Sequence, residues 1–235
     1  MHKQVHAMTS MAVIFFVTTR GLVCSLPAPQ TIAQTNQAEQ LAAEHIYQEQ
    51  LKFFAADAQE YFETIQQAPM LAVVFDIDET ILDARRQSTV ITYQNHVYSY
   101  YPSLASMRTL YHYLTTRNFP IFFVSSRPET CHEQQDIEII TMYNIISEGC
   151  TPFRALFCKP STQDALSPAL WKLCMRKRIQ SMYGYTIIAT FDDDPSVFAE
   201  DAGACTGKQF LVPKGPTLRS ESQTTPEVKI IKETS

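Results

Sequence analysis

Four acidic residues follow directly after a short hydrophobic run in the sequence VVFDIDETILD. They are Asp76, Asp78, Glu79 and Asp83. Alternate side chains of an extended backbone point the same way, so Asp76 and Asp78 are expected to face one pocket. Two carboxylates in one pocket repel each other unless a cation lies between them, and an oxygen-liganded ion such as Mg²⁺ meets that need. The alternative is that these acids cap a helix that begins at Glu79 or Thr80.

Polar and charged residues also end two later hydrophobic runs. Ser125, Ser126 and Arg127 follow the run 120–124 and offer hydroxyl and guanidinium donors suited to a phosphate group. A second acidic set follows a later run and is able to complete a metal site. This set consists of Asp192, Asp193 and Asp194.

A predicted helix over residues 168–183 carries two basic residues on one face. Lys172 and Arg176 are four residues apart, which places them one turn from each other. A Ser-Pro pair marks the start of this helix and Gly184 marks its end. Lys172 is the candidate phosphate anchor, with Lys159 as the second choice. The alternative is that this basic face is only a solvated surface.

The order of the elements predicts an α/β fold. Short hydrophobic runs alternate with amphipathic helices, which is typical of a parallel sheet flanked by helices. Ligands bind such sheets at the carboxyl ends of the strands, where the polar residues lie. The predicted helices are 32–66, 102–118, 128–146 and 168–183, and the predicted strands are 71–75, 120–124, 155–158, 185–190 and 209–212.

Length and composition indicate one catalytic domain. The chain has 235 residues, of which 45% are hydrophobic and 18% charged, as is ordinary for a globular protein. The net charge of −5 gives no basis for binding nucleic acid or an anionic membrane across the whole surface, so no nucleic-acid partner is expected. The six cysteines show no paired spacing, which argues against a zinc site. They are Cys24, Cys131, Cys150, Cys158, Cys174 and Cys205.

The first 28 residues resemble a secretory signal. No acidic residue occurs before Glu39, and the apolar segment 11–17 follows a region that contains Lys3. The sequence therefore predicts export to the periplasm, the cell surface or the medium. An uncleaved leader, a lipid-modified Cys24 and an organelle transit peptide are the alternatives. No uncharged run in the mature part is long enough to span a membrane.

The motifs, taken in order, resemble those of haloacid dehalogenase (HAD) superfamily phosphatases. The most similar branch contains bacterial class B and class C acid phosphatases and plant vegetative-storage-type acid phosphatases. DIDET at 76–80 matches the family's DxDxT motif, and FFVSSR at 122–127 matches a second motif in which Ser126 replaces the usual glycine. FDDDPSVF at 191–198 matches the fourth motif less closely, because Val197 stands where a further Asp is usual.

The resemblance implies a phosphoryl-transfer mechanism. Asp76 would attack phosphorus and form an aspartyl-phosphate, and Asp78 would act as general acid and then as general base. Lys172 matches the lysine of the third motif, and Arg176 supports it at the spacing seen in that branch. The substrate-binding residues implied or suggested are Ser125, Ser126, Lys172 and Arg127.

The resemblance also implies a Mg²⁺ site. Its expected ligands are Asp76, the backbone carbonyl of Asp78, and Asp193. Either Asp192 or Asp194 would supply a second acid from the fourth motif, with Asp192 the first choice.

The implied architecture is a Rossmann-like HAD fold, with a central parallel sheet flanked by helices. We expect a leader at 1–28, a HAD-like phosphatase domain at 32–212 that begins with a helical part at 32–66, and a small cap insertion at about 84–101. The segment 213–235 is rich in Pro, Ser, Thr and charge and is predicted to be a flexible tail.

The predicted function is Mg²⁺-dependent hydrolysis of small phosphate monoesters, as in acid phosphatases. The alternatives are a catalytically weak storage or binding protein, a phosphotransferase, and a polynucleotide 3′-phosphatase. Arg127 either contacts substrate or is a surface residue at the entry to a helix. An aromatic cluster in the cap segment either lines the substrate entrance or only packs; it consists of Tyr93, Tyr98, Tyr100 and Tyr101.

Overall fold

A computed structural model describes most of the chain after the leader. The described residues are 29–86, 89–93, 96–128, 130–131, 135–163, 165–201, 207–218 and 227–230. The chain divides into two compact units, residues 1–37 and residues 38–235. In the first unit residues 29–37 are helical, and the second unit contains the sheet and every site considered below. Among the described helices, none is long and apolar enough to cross a membrane.

Helices and strands alternate along the second unit, as the sequence predicts. The helices are α1 (Pro29–Glu63), α2 (Ala105–Thr116), α3 (Ile137–Ser147), α4 (Pro168–Tyr183) and α5 (Pro195–Ala199), with a short 3₁₀ turn at Ser161–Gln163. The strands are β1 (Leu71–Phe75), β2 (Thr89–Tyr93), β3 (His96–Tyr100), β4 (Ile121–Pro128), β5 (Thr130–Cys131), β6 (Gln135–Asp136), β7 (Ala155–Lys159), β8 (Thr186–Asp192), β9 (Lys208–Leu211) and β10 (Glu227–Ile230).

Five strands form the central sheet in the order β7-β4-β1-β8-β9, and every neighbouring pair is parallel. The two faces of this sheet carry different helices. One core cluster combines β1, β4 and β8 with α1 and α2 through residues such as Leu51, Phe62 and Leu110. The other combines alternate residues of the same strands with α4, through Trp171 and Met175. The predicted α/β architecture, a parallel sheet flanked by helices, is confirmed.

A row of aromatic rings crosses four strands just before the carboxyl edge of the sheet. Phe123, Phe75, Phe191 and Phe210 occupy paired positions on β4, β1, β8 and β9. The ring of Phe191 lies 4.5 Å from that of Phe75 and 4.6 Å from that of Phe210, measured between centroids, and both pairs are stacked. Slipping one strand by a residue would turn its ring to the other face, so this row fixes the register of the sheet.

This register places the next residue of each strand at a common edge. The amide of Asp76 donates a hydrogen bond of 2.9 Å to the carbonyl of Phe191, which brings Asp76 beside Asp192. Because side chains alternate along a strand, both acids point to the face opposite the aromatic row, which is the face that α4 covers. Lys172 lies on α4.

Two local predictions were wrong. The predicted helix 128–146 begins only at Ile137, because β4 extends through Pro128 and the two-residue strands β5 and β6 follow it. The helix-capping alternative for the first acidic cluster also fails. Residues 79–81 form a turn, and Glu79 has a φ of 56°, a left-handed conformation that cannot start an α-helix.

A second, smaller sheet lies in the segments predicted as cap and tail. The hairpin strands β2 and β3 are antiparallel and fall within 84–101, and β10 pairs with β2 in parallel. The predicted flexible tail thus contains four residues of regular structure. The predicted domain boundaries remain predictions.

Candidate active site

Three buried charged side chains meet at the carboxyl end of β1 and β8. The Nζ atom of Lys172 lies 3.0 Å from Oδ1 of Asp76 and 2.9 Å from Oδ2 of Asp192. None of the three residues is more than 5% exposed. Lys172 lies near the start of α4. Ser167 caps this helix by accepting a hydrogen bond from the amide of Leu170.

This buried group contains two carboxylates and one ammonium. Burial raises the pKa of Asp76 to about 8; Lys172 opposes the rise, and repulsion from Asp192 and Asp78 adds to it. Burial also raises the pKa of Asp192. Burial alone would lower the pKa of Lys172, but the attraction of the two carboxylates outweighs it and leaves that pKa above its usual value. One negative charge therefore remains to be balanced by a proton or another cation.

A third carboxylate extends the group toward solvent. Asp76, Asp192 and Asp193 each offer an oxygen, and the three oxygens lie within 4.8 Å of one another. The carboxylate of Asp194 is used elsewhere, since it caps α5 by accepting a 2.9 Å hydrogen bond from the amide of Ser196. Three carboxylates at this spacing fit a hard divalent cation, which prefers oxygen ligands.

An exposed lysine neutralises the outermost acid of this set. Nζ of Lys214 lies 3.2 Å from Oδ2 of Asp193, and the hydrogen bond raises the pKa of Lys214. Lys214 follows β9, the strand next to β8, and the amide of Val212 donates to the carbonyl of Asp192. The segment after β9 therefore passes directly beside the site.

Asp78 is bound on the opposite side, by Arg127. Nε of Arg127 donates a 2.7 Å hydrogen bond to Oδ2 of Asp78, and Nη2 donates to Oδ1. The side chain of Asp78 is 36% exposed, far more than that of Asp76. Burial would lower the pKa of Arg127, but its hydrogen bonds to Asp78 outweigh this and raise it.

Ser125 ends the buried part of β4 at this same edge. Its hydroxyl oxygen accepts a 3.1 Å hydrogen bond from the amide of Arg127, and its carbonyl accepts a 2.9 Å bond from Nε1 of Trp171. Trp171 precedes Lys172 on α4, so this bond ties the lysine helix to the end of β4. Ser126 is half-buried beside them.

A second buried ion pair joins α4 to the end of the segment 192–201, which is called the acidic loop below. Nε of Arg176 lies 3.2 Å from Oδ2 of Asp201, and its Nη2 donates a 3.2 Å hydrogen bond to the carbonyl of Val197. Arg176 and Asp201 are each only 1% exposed. Lys172 and Arg176 on one helix thus hold both ends of the segment 192–201.

The turn after the first acidic cluster is held by a dense group of charges. Asp83 accepts two 2.7 Å hydrogen bonds from Arg85, whose guanidinium also bonds Glu44 on α1 and the carbonyl of Pro216. Burial and repulsion from Asp83 raise the pKa of Glu79 to about 7. A cavity of about 310 Å³ opens beside this turn, lined in part by Glu79, Asp193 and Lys214. A similar cavity of about 300 Å³ lies at the other edge of the sheet and contains none of these residues.

A comparison with protein-family models shows the family to which the chain belongs. Residues 17–217 match the model described as HAD superfamily, subfamily IIIB (acid phosphatase). The chain belongs to this family. As a subfamily IIIB acid phosphatase, it is a phosphoric monoester hydrolase, and the resemblance in its motifs is confirmed.

A solved structure of an acid phosphatase shares the fold. A structure of the class C acid phosphatase from Bacillus anthracis is similar, with 12% sequence identity and a TM-score of 0.50 over 75% of this chain and 84% of that chain. A second structure of the class C acid phosphatase from Bacillus anthracis, with tungstate bound, has 11% identity and a TM-score of 0.49 over the same shares. No curated protein sequence matches the chain.

Within this subfamily IIIB chain, the structure brings several predicted site residues together. Asp76, Asp192, Asp193 and Lys172 lie in one group, whereas Asp78 is bound to Arg127. Lys159, the second choice for the anchor, lies at the end of the edge strand β7.

Sequence reasoning missed Lys214 and Thr141, which contact Asp193 and Arg127 respectively. It named Tyr101 only as a member of the aromatic cluster, and the structure places its ring beside Arg127. Of the missed residues, only Lys214 could have been found from the sequence, because it follows the carboxyl end of the last strand of the central sheet. The leader, Cys24, Cys131, Cys205 and the side chain of Tyr93 lie outside the described residues and side chains.

Proposed function

We propose that this acid phosphatase hydrolyses small phosphate monoesters through an aspartyl-phosphate formed on Asp76. The observation that carries the proposal is the contact of Lys172 with Asp76 at 3.0 Å, at the end of a parallel strand and under a helix. The lysine holds a position from which it can attract both the carboxylate nucleophile and the phosphoryl oxygens. Its charge lowers the repulsion between them as they approach.

In the first half of the reaction, an oxygen of Asp76 attacks phosphorus and the ester P–O bond breaks. The leaving oxygen takes a proton from the carboxyl group of Asp78, which lies two residues away and faces solvent. In the second half, Asp78 accepts a proton from the attacking water, the bond between phosphorus and Asp76 breaks, and phosphate leaves. Covalent catalysis of this kind replaces one difficult displacement by two easier ones.

The phosphoryl oxygens are proposed to be held by groups at the end of β4 and on α4. Lys172 supplies charge, and Ser125 and Ser126 supply hydrogen-bond donors from the neighbouring strand end. Arg127 was predicted to join them as a substrate contact. Support comes from the bonds of Trp171 to Ser125 and of Lys172 to Asp76, which hold the two elements in place.

We propose Mg²⁺ as the divalent ion of this site, with Asp76, the backbone carbonyl of Asp78, Asp193 and Asp192 as ligands. The charge imbalance supports it, because one buried lysine faces two buried carboxylates and Asp193 adds a third within 4.8 Å. The ion would supply positive charge to the phosphate oxygens in a site of low dielectric. Lys214 must leave Asp193 when that carboxylate serves as a ligand.

The mechanism is tested by the Asp76→Asn variant with 4-nitrophenyl phosphate and Mg²⁺. Hydrolysis should be lost, since an amide oxygen is not an effective nucleophile, and mass spectrometry of acid-quenched wild-type enzyme should find the phosphoryl group on Asp76. Asp57→Asn, at an exposed acid of α1, is the matched control and should keep full activity. Turnover by Asp76→Asn at the wild-type rate would rule out the covalent mechanism.

The metal is tested by calorimetry on the chelator-treated protein. Mg²⁺ should bind with about one ion per chain, and Asp193→Asn and Asp192→Asn should weaken that binding. Asp194→Asn should not, because the carboxylate of Asp194 caps α5. Equal binding by all four proteins would exclude this ligand set.

Substrate size and export remain proposals that the sequence supports. The cap segment 84–101 is short, which favours an open site and a small-molecule monoester. The signal-like leader supports export, and N-terminal sequencing of the mature protein in its native host would test it.

A further inference from the structure

The guanidinium of Arg127 is held from several sides. It donates two hydrogen bonds to the carboxylate of Asp78, one from Nε and one from Nη2. Its Nη1 donates a 3.3 Å hydrogen bond to the hydroxyl oxygen of Thr141, and its central carbon lies 5.5 Å from the centre of the Tyr101 ring. A planar guanidinium with this many partners has little freedom to rotate.

The neighbours of Arg127 are themselves fixed by α3. Thr141 is 1% exposed on that helix. Asn144, one turn later and equally buried, accepts a 3.0 Å hydrogen bond from the amide of Tyr101 and donates a 2.8 Å bond to its carbonyl. Glu148, a further turn along, accepts hydrogen bonds from both the amide and the hydroxyl of Ser103 at 2.7 Å. The backbone at Tyr101 is therefore fastened to α3, and the backbone at Ser103 is fastened to Glu148, the residue directly after that helix.

Asp78 has no comparable packing of its own. Its side chain is 36% exposed and its carboxylate meets both donors on one edge of the Arg127 guanidinium. A two-point contact of this kind sets both the position and the plane of a carboxylate, which a single point charge does not do. Without it, an exposed aspartate would sample several rotamers.

We propose that Arg127 is a positioning residue that aims Asp78 at the leaving-group oxygen, and that Thr141 and Tyr101 hold Arg127 for this task. The inference rests on the proposed function, in which Asp78 gives its proton to the leaving oxygen as the P–O bond breaks. While one oxygen of Asp78 carries that proton, this oxygen gives up its hydrogen bond to the guanidinium, and the other oxygen keeps its own. The orientation of Asp78 is kept during proton transfer because one of its two hydrogen bonds to Arg127 remains.

Loss of a positioning residue and loss of a phosphate contact affect different steps of the reaction. In the first half of the reaction, a misplaced acid slows esters whose leaving group needs a proton, such as alkyl phosphates, and spares esters with an acidic phenol such as 4-nitrophenyl phosphate. The second half is common to both esters and does not enter kcat/KM. A lost phosphate contact lowers kcat/KM of both esters alike. The two roles are therefore separated by comparing kcat/KM for one poor and one good leaving group.

The test measures kcat/KM for ethyl phosphate and 4-nitrophenyl phosphate with saturating metal. In Arg127→Gln, kcat/KM for the alkyl ester should fall at least about tenfold more than kcat/KM for the aryl ester, within the range that acid catalysis contributes. Arg127→Lys keeps the charge without the two-point contact and should show the same pattern. Equal losses of kcat/KM for both esters would overturn the proposal in favour of phosphate binding.

Thr141→Val gives a second route to the answer, because valine matches the shape of threonine and removes only the hydroxyl that meets Arg127. The same preference for the aryl ester, smaller in size, is expected; an unchanged ratio of the two kcat/KM values would count against the assembly around Arg127. Asp78→Asn is the reference, and it should show the largest discrimination. If Asp78→Asn treats both esters alike, the assignment of Asp78 as the acid fails; if it discriminates and the Arg127 variants do not, only the positioning role fails.

Discussion

Two groups of charged side chains flank the carboxyl end of β1, and they differ in burial and in balance. On one side Lys172 contacts Asp76 and Asp192, and all three side chains are almost fully buried. On the other side Arg127, whose side chain is largely buried, pairs with Asp78, whose side chain is partly exposed. The buried side has one cation for two anions, whereas the outer pair is matched one to one.

This difference in burial and charge balance indicates which part of the site is rigid. Moving a charge within the buried group would leave another charge unpaired away from water, which costs several kcal/mol. In the outer pair the Asp78 side chain is 36% exposed, so water can solvate this carboxylate when it moves away from Arg127. Asp76, the proposed nucleophile, and Lys172 are thus held in place before substrate arrives, while Asp78, the proposed acid, depends on its neighbours for its orientation.

Lys172→Met should have the largest effect on stability and activity, because it removes the one cation of the buried group. The variant leaves two buried carboxylates without their cation, so the free energy of unfolding should fall by roughly 3–5 kcal/mol at neutral pH. Activity should fall by roughly 10²- to 10³-fold or more, since a preorganised charge at the phosphate is lost. Urea unfolding and 4-nitrophenyl phosphate assays measure both, and Lys177→Met, an exposed lysine on α4, serves as the control. A stable, active Lys172→Met protein would contradict this account of the buried group.

The pair of Arg176 with Asp201 extends the buried side, and its removal should have the next largest effect. Arg176→Met leaves Asp201 buried without a partner and should lower the free energy of unfolding by about 3 kcal/mol. Replacing both residues, as Arg176→Met with Asp201→Leu, should restore most of that loss, because no charge is then buried alone. Calorimetry should also show weaker Mg²⁺ binding in both variants, since the acidic loop loses one of its two attachments to α4. Full Mg²⁺ affinity in the double variant would show that the pair does not position the loop.

The charge imbalance of the buried side predicts a pH dependence of stability. The pKa of Asp76 is raised to about 8, so between about pH 4 and pH 8 the metal-free folded protein holds a proton that the unfolded chain has released. Stability should therefore fall as pH rises through this window, by roughly 1 kcal/mol per pH unit. The raised pKa of Glu79, about 7, acts in the same direction.

Urea unfolding in EDTA at pH 5, 6, 7 and 8 measures this slope. Saturating Mg²⁺ should flatten it, because carboxylates that bind the ion stay deprotonated. Asp76→Asn should reduce the slope without metal, since one lysine then faces one buried carboxylate. A metal-free protein that becomes more stable from pH 5 to pH 8 would show that the buried group is already balanced.

Lys214→Gln should have the smallest effect on stability. The lysine is exposed and its pair with Asp193 is open to solvent, so the free energy of unfolding should change by less than about 1 kcal/mol. Calorimetry should show tighter Mg²⁺ binding in this variant, because no lysine then competes for Asp193. Weaker binding would instead mean that Lys214 helps to hold the ligand set.

The sequence predicted the buried side of the site better than the outer side. Strand ends can be located from hydrophobic runs, and a parallel sheet brings those ends to one edge, so Asp76, Ser125 and Asp192 could be grouped before their positions were known. Helix α4 was predicted with the bounds observed, because Ser167 and Gly184 are strong local signals at its two ends. The pairing of Lys172 with the acids follows once that helix covers their face of the sheet.

The outer side was harder because it depends on loops. Asp78 and Arg127 are 49 residues apart, and nothing local fixes the direction of either side chain. The predicted start of α3, at 128, is nine residues before the observed start at Ile137, because β4 extends through Pro128 and two short strands follow it. Lys214 fell in a segment whose composition predicts a tail, and composition carries no information on what a segment packs against.

The row of phenylalanines beneath the acids has a consequence for how the enzyme loses its function. The amide of Asp76 is bonded to the carbonyl of Phe191 inside this row, so its proton can exchange with solvent only when the strands separate. Loss of activity on heating or in denaturant should then coincide with opening of the hydrophobic core. Wherever the fold persists, Asp76 stays in register with Phe191.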